Sequence, residues 1–250
     1  MAIMVRDEGS PSARLVVIGE APGKWEIAQG RPFVGSSGQL QERWWREVRL
    51  KRSDCYITNV YPYRPPGNKI KLVPPRELNE WIRDLHRRLA ELTDPWLIVP
   101  TGDTALHALI GKSGITKHRG SIYEYIDGNG RRIKVIPTIH PAATYRQPAY
   151  TRMIRQDWKR IVGDLAFRDL RLPQREHFTK PTLADIADFV ADATCRAELL
   201  SIDIETPPSM EETPVVDNRG RIRMKRTRGK ARIVCVGFSF EPHFSMTIPT

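Results

Sequence analysis

The side chains able to do chemistry lie in four short stretches. Glu20 sits in Gly19-Glu20-Ala21-Pro22-Gly23, and Phe33 in Gly30-Arg31-Pro32-Phe33-Val34-Gly35. Asn59 begins the stretch running through Tyr61-Pro62-Tyr63-Arg64-Pro65-Pro66-Gly67-Asn68-Lys69. His140 begins His140-Pro141-Ala142-Ala143-Thr144-Tyr145-Arg146. An acid, an amide, an imidazole and a loop aromatic are together the equipment of a site that binds a flat, polar ligand and acts on it. The glycine-rich turns allow backbone to approach such a ligand closely, and Phe33 offers a face for stacking.

Each stretch follows or bounds an apolar run. Runs at 15–18, 56–60, 96–100 and 133–139 read as strands. Between them, patterns of helical period span 39–50, 75–92 and 103–110, and another follows at 149–165. Pro74-Pro75 opens the second with a preset φ. Strands alternating with helices predict a mainly parallel sheet covered on both faces. In such sheets ligands bind at the carboxyl ends of the strands, so Glu20, Phe33, Asn59 and His140 are expected to line one pocket. Each also has an ordinary structural role open to it. Glu20 can cap a turn, His140 can be a satisfied loop histidine, Asn59 a turn residue and Phe33 core. Trp44, Trp45 and Trp81 are read as packing residues. Only the joint pattern favours a site.

At 250 residues the chain accommodates one large or two modest domains. Its mean hydropathy is −0.44, it holds no apolar run of membrane-spanning length, and its first residues lack the pattern of a signal peptide. Cys55, Cys195 and Cys235 are scattered and no CxxC occurs, which argues for a reducing, intracellular setting without disulfides. The net charge of +11 is uneven, at +12 over residues 1–175 and −1 over 176–250. A basic excess in the first segment suits a polyanion such as nucleic acid, or simply a well-solvated surface.

The four stretches, in this order and each at a strand end, resemble the uracil-DNA glycosylase superfamily, most closely its family 4 enzymes, over residues 14–165. The resemblance implies a three-layer α/β/α sandwich with a four-stranded mainly parallel sheet. It also implies roles. Glu20 would stabilise an oxocarbenium-like sugar and position water, and His140 would donate to uracil O2 as charge builds there. Asn59 would bond one edge of uracil, Phe33 would stack on the flipped ring, and Glu26 would stand near uracil C5 and crowd a thymine methyl. Tyr145 would fill the gap left by the flipped base, with Arg146, Arg64, Lys69 and Lys71 on phosphates.

There are departures from the family pattern. Family 4 enzymes resemble one another in four cysteines that hold an iron–sulfur cluster. Here the N-terminal pair is absent and Trp81 stands in place of the helix cysteine. The expectation is a cluster-free relative needing no cofactor for glycosylase chemistry. Ile27 also replaces an acid common after the Glu26 position.

A polar stretch at 168–181 reads as a linker between a glycosylase-like domain at 1–167 and a second domain at 182–250. In the second, a helix at 183–194 leads to Ser201-Ile202-Asp203-Ile204-Glu205-Thr206, which resembles the first motif of the DEDD 3′–5′ exonucleases, of ribonuclease-H-like fold. Asp203 and Glu205, two apart on a strand, point to one face and are candidates for holding a divalent metal. Residues 219–232 carry eight Lys or Arg and no acid and read as turns or a hairpin. Two strands follow, at 233–240 and 244–248. The other acidic motifs of that family are missing, so this segment is expected to be an incomplete exonuclease-like domain without exonuclease activity. A divalent metal is expected only of a complete one. The leading expectation is a uracil-DNA glycosylase acting on single- or double-stranded DNA, in a polypeptide expected to continue into a phage-type polymerase and exonuclease. The alternative is a module that binds uracil in DNA without cutting.

Overall fold

The computed structural model describes residues 3–170, 176–178, 181–198, 200–205, 210–216, 222–228, 235–241 and 244–249. The chain divides into two compact units, Met1–Arg171 and Leu172–Thr250.

The first unit is built on β1 (Leu15–Gly19), β2 (Cys55–Asn59), β3 (Leu97–Pro100), β4 (Tyr123–Ile126) and β5 (Arg132–Val135), in the spatial order β2-β1-β3-β5-β4. The first three and β5 run parallel, while β4 pairs antiparallel with β5. The sheet thus has five strands, not the four expected. Tyr-Glu-Tyr-Ile does not advertise β4, because an edge strand keeps polar and half-exposed side chains where a central strand is wholly apolar. The run at 133–139 is also only partly ladder. Beyond β5 it continues as a buried extended segment, with the Ile136 N–H on the Ile98 carbonyl and the Thr138 N–H on the Pro100 carbonyl.

β1 shows why the unit has three layers. All five of its residues are buried. Leu15 and Val17 point into one core with Trp45, Ile57, Val99 and Trp158, whereas Val16 and Ile18 point into the other with Leu85, Leu89, Leu109 and Val135. Trp44 and Trp45 belong to the first core. Helices α2 (Ser36–Glu47) and α6 (Tyr150–Asp164) cover the first face, and α3 (Pro75–Ala90) and α4 (Asp103–Ile110) the second. A short helix unheralded by periodicity, α1 (Lys24–Gln29), lies between the two glycine-rich turns. Another, α5 (Ile115–His118), precedes β4.

In the second unit, β6 (Glu176–Phe178), β11 (Phe244–Pro249), β10 (Cys235–Glu241) and β7 (Ser201–Glu205) form one sheet in that order. β6 lies inside the stretch read as linker and pairs parallel with β11. Helix α7 (Leu183–Arg196) starts on a capping box, in which Thr182 Oγ1 accepts the Asp185 N–H and Asp185 accepts the Thr182 N–H. Strands β8 (Met210–Val216) and β9 (Ile222–Arg228) form a separate antiparallel ribbon. It covers part of the basic stretch, and the rest of that stretch lies outside the described residues. Among the described residues, no helix is long and apolar enough to cross a membrane.

Candidate active site

At the carboxyl ends of β1 and β2 the sheet draws all four stretches together. Gly19 ends β1 in register with Asn59 at the end of β2. A Cβ on Gly19 would lie 2.5 Å from Asn59 Oδ1 and 2.6 Å from Phe33 Cζ. The missing side chain is therefore what lets amide and ring close in on the strand end. The ring of His140 stands 6.0 Å from that of Phe33, centroid to centroid, at an interplanar angle of 33°. Gly102, at φ 96°, backs the histidine, and a Cβ there would be 3.2 Å from His140 Cβ. Glu26, Phe33, Asn59 and His140 line a cleft of about 110 Å³ together with Ala21, Gly23, Ser37 and Asn68. That is space for one small planar ring or about three to four waters.

His140 is set up as a neutral hydrogen-bond donor. Its Nδ1 accepts the Ala142 N–H at 3.1 Å, which places the ring proton of the neutral form on Nε2. Burial pushes its pKa down to about 4, with the negative charge of Glu26 opposing weakly. The loop carrying it is anchored from below. Buried Asp157 on α6 accepts from the Thr138 hydroxyl at 2.8 Å and pairs with Arg119. Burial raises the Asp157 pKa above the usual carboxylate value, against the pull of Arg119 and Thr138.

Glu26 is buried and its oxygens are already engaged. It accepts the N–H groups of Gly23, Val34 and Gly35 at 3.1, 3.0 and 2.6 Å. One carboxylate thereby ties both glycine-rich turns together while lining the cleft. Phe33 is buried and holds φ at +53°, a left-handed conformation costing an ordinary residue about 1–3 kcal/mol. The guanidinium of Arg52 holds it there, donating to the carbonyls of Pro32 and Phe33 at 2.5 and 3.1 Å.

Glu20 does not line the cleft itself. Half-buried at the end of β1, it accepts the hydroxyl of Thr104, on the first turn of α4, at 2.5 Å. Its carbonyl takes the Tyr61 N–H, which joins the first and second stretches. Tyr145, 59% exposed, and the exposed Arg146 project from the 3-10 turn after His140. Arg64, Lys69 and Lys71 are exposed on the loop between β2 and α3. Trp81 packs against Tyr61 and Tyr63, with ring centroids 6.5 and 5.5 Å away. Cys55 is buried in β2, where desolvation pushes its thiol up to about 12. Asp203 and Glu205 lie on β7 opposite Gly237 and Cys235, and their side chains lie outside the described residues.

Thr104, Arg52, Ser37 and Asn68 are the site's unanticipated members. Asn68 belongs to a stretch singled out above, and its Pro-Gly-Asn turn was a usable signal. Thr104 and Arg52 reach the site only through the fold, from 84 and 19 residues away along the chain, and carry no local mark.

A mainly parallel α/β domain with an amide, an aromatic ring and a neutral imidazole converging at its strand ends is of the class that holds a flat, polar ligand in that edge. The chain belongs to the Uracil DNA glycosylase superfamily, whose family model matches residues 6–162. It is similar to the type-4 uracil-DNA glycosylase of Archaeoglobus fulgidus, 35% identical over 162 residues, covering 63% of this chain and 79% of that protein. It is also similar to the type-4 uracil-DNA glycosylase of Thermotoga maritima, 38% identical over 145 residues, covering 57% of this chain and 72% of that protein. Against the DNA polymerase of Bacillus phage SP01 it is 32% identical over 261 residues. That match takes in 98% of this chain and 26% of the polymerase, so the chain spans about a quarter of that relative.

Proposed function

We propose that the first unit is a uracil-DNA glycosylase that hydrolyses the N-glycosidic bond of a uracil flipped out of DNA. The observation that carries this reading is the cleft in which Phe33, Asn59 and His140 converge beside the end of β1. Uracil would stack on Phe33 and bond its polar edge to the Asn59 amide, while His140 Nε2–H meets O2. As the bond from C1′ to N1 breaks, its electron pair stays on the base and the sugar becomes cationic. The His140 donor stabilises the charge gathering on O2. Being neutral, it does so without first having to surrender a charge. Glu20, steadied by Thr104, stabilises the sugar and orients water for attack at C1′. The water's proton leaves through the carboxylate, and N1 of the departing base takes up a proton. Glu26 holds the walls of the cleft and narrows it near C5. Tyr145 fills the space left in the duplex, while Arg146, Arg64, Lys69 and Lys71 hold phosphates. This chemistry needs no metal.

The decisive experiment incubates the chain with uracil-containing oligonucleotides, single-stranded and paired with G or A, in the presence of a chelator. Free uracil and an alkali-labile site are expected. Glu20→Gln and His140→Ala should each cut the single-turnover rate by about 10²-fold or more. Tight binding of uracil DNA with no product from the unaltered chain would overturn catalysis in favour of recognition alone.

We further propose that the second unit, with Asp203 and Glu205 on one face of β7, is part of an exonuclease-like domain in a replication polypeptide. The similarity along nearly the whole chain to a phage DNA polymerase supports this. It is tested by metal-dependent loss of 3′ nucleotides, which is expected to be absent from this chain.

A further inference from the structure

We propose that Arg52 is the positioning residue of the stacking platform, acting on the base only through Phe33. This deepens the glycosylase reading and rests on it. The side chain of Arg52 is 14% exposed, and every one of its nitrogens is engaged. Nε and Nη2 hold Glu8 in a two-point fork at 2.8 and 2.7 Å, and Nη1 meets Glu42 at 2.8 Å. The remaining directions of Nη1 and Nη2 point at the carbonyls of Phe33 and Pro32. Planar, five-donor geometry is what permits one group to take two carboxylates and two successive carbonyls together, and a lysine ammonium cannot reproduce it.

The effect on the site follows from the backbone. Phe33 stands in the left-handed region, which a non-glycine residue leaves when nothing holds it. Its amide neighbours are pinned on the other side, where Glu26 accepts from Val34 and Gly35. Arg52 and Glu26 therefore grip the same turn from opposite ends, and the angle of the Phe33 ring to His140 is set between them. Glu8 and Glu42 are anchors for the guanidinium. Glu42 makes no described hydrogen bond to the turn, whereas Glu8 also accepts from the exposed Arg31 at 2.7 Å, so Glu42 is the anchor that can be altered alone.

The test is a double-mutant cycle on the full chain. Arg52→Met should weaken inhibition by free uracil and slow single-turnover excision, each by about tenfold or more. Affinity for an oligonucleotide lacking uracil should stay unchanged. Phe33→Ala should do the same, and the double variant should be no worse than Phe33→Ala alone. Arg52→Lys should recover only a fraction. Glu42→Gln, which removes an anchor but spares both carbonyl bonds, should remain near the original rate. Amide exchange at Val34 and Gly35 should quicken in Arg52→Met and Arg52→Lys, a readout independent of turnover. If Arg52→Met does not fold, Arg52→Lys and Glu42→Gln carry the comparison.

Losses that add in full with those of Phe33→Ala, or unchanged exchange at Val34 and Gly35, would overturn the assignment of Arg52. An unaltered chain that releases no uracil defeats the glycosylase reading instead. The exchange measurement then still decides whether Arg52 holds the turn.

Discussion

The hydroxyl of Thr104 donates to Glu20 Oε2 across 2.5 Å, linking the first turn of α4 to the end of β1. Two loops from different strand ends thus fix the orientation of one carboxylate. Thr104→Val keeps the shape but removes the donor, leaving Glu20 free to swing. Single-turnover excision should fall by about tenfold, whereas Thr104→Ser should stay near the original rate. Thermal unfolding of both variants should remain within a few degrees, since the pair is only half-buried.

His140 provides a pH test. Its pKa is held down at about 4 by burial, so the imidazole is neutral throughout the range where most enzymes are assayed. The excision rate should show no inflection near 6.5 on account of this residue. Labelled-histidine NMR should report an Nε2–H tautomer down to about pH 4. Stability follows with a definite sign. The unfolded chain takes up this proton near pH 6.5 and the folded one near 4, so the contribution is present above 6.5 and is lost as pH falls toward 4. His140→Gln should flatten that part of the stability profile.

Gly19→Ala adds a single methyl at the point where Asn59 and Phe33 meet. The methyl would press on an amide oxygen at 2.5 Å and a ring edge at 2.6 Å, so both side chains must move. Denaturant unfolding should show a loss of about 1–3 kcal/mol. Excision should fall by about 10²-fold, because a displacement of roughly 1 Å at a site costs that much.

Glu8 gives an acid-side prediction. Its hydrogen bonds and charge pairing with Arg52 hold its pKa at about 2, against desolvation, with Arg31 adding to the effect. The unfolded carboxyl titrates near 4.5, so the folded state is favoured above that pH. The benefit disappears as pH falls from about 4.5 to 2. Glu8→Gln should remove this segment of acid sensitivity when unfolding is followed from pH 6 to pH 2.

Much of this was written locally. The apolar runs at β1, β2 and β3 announce buried strands, and Leu78, Leu85 and Leu89 on α3 carry the period of a helix facing a sheet. Parallel order then dictates that Phe33, Asn59 and His140 meet at one edge. β4 was invisible because its half-exposed Tyr-Glu-Tyr-Ile pattern is that of an edge, where burial exerts little selection on side chains. α1 was missed because six residues are too few for a periodicity to register.

What the chain alone determined was the set of chemical groups and the layer architecture that carries them, since both depend on residue type and on periods of two and 3.6. What only the tertiary structure decided was the state of each group. It placed Glu20 under the Thr104 hydroxyl, spent Glu26 on three backbone N–H groups, kept His140 neutral with its proton on Nε2, and locked Phe33 beneath Arg52. Those outcomes depend on distances between segments far apart in sequence and on burial, and neither is written in any local run of residues.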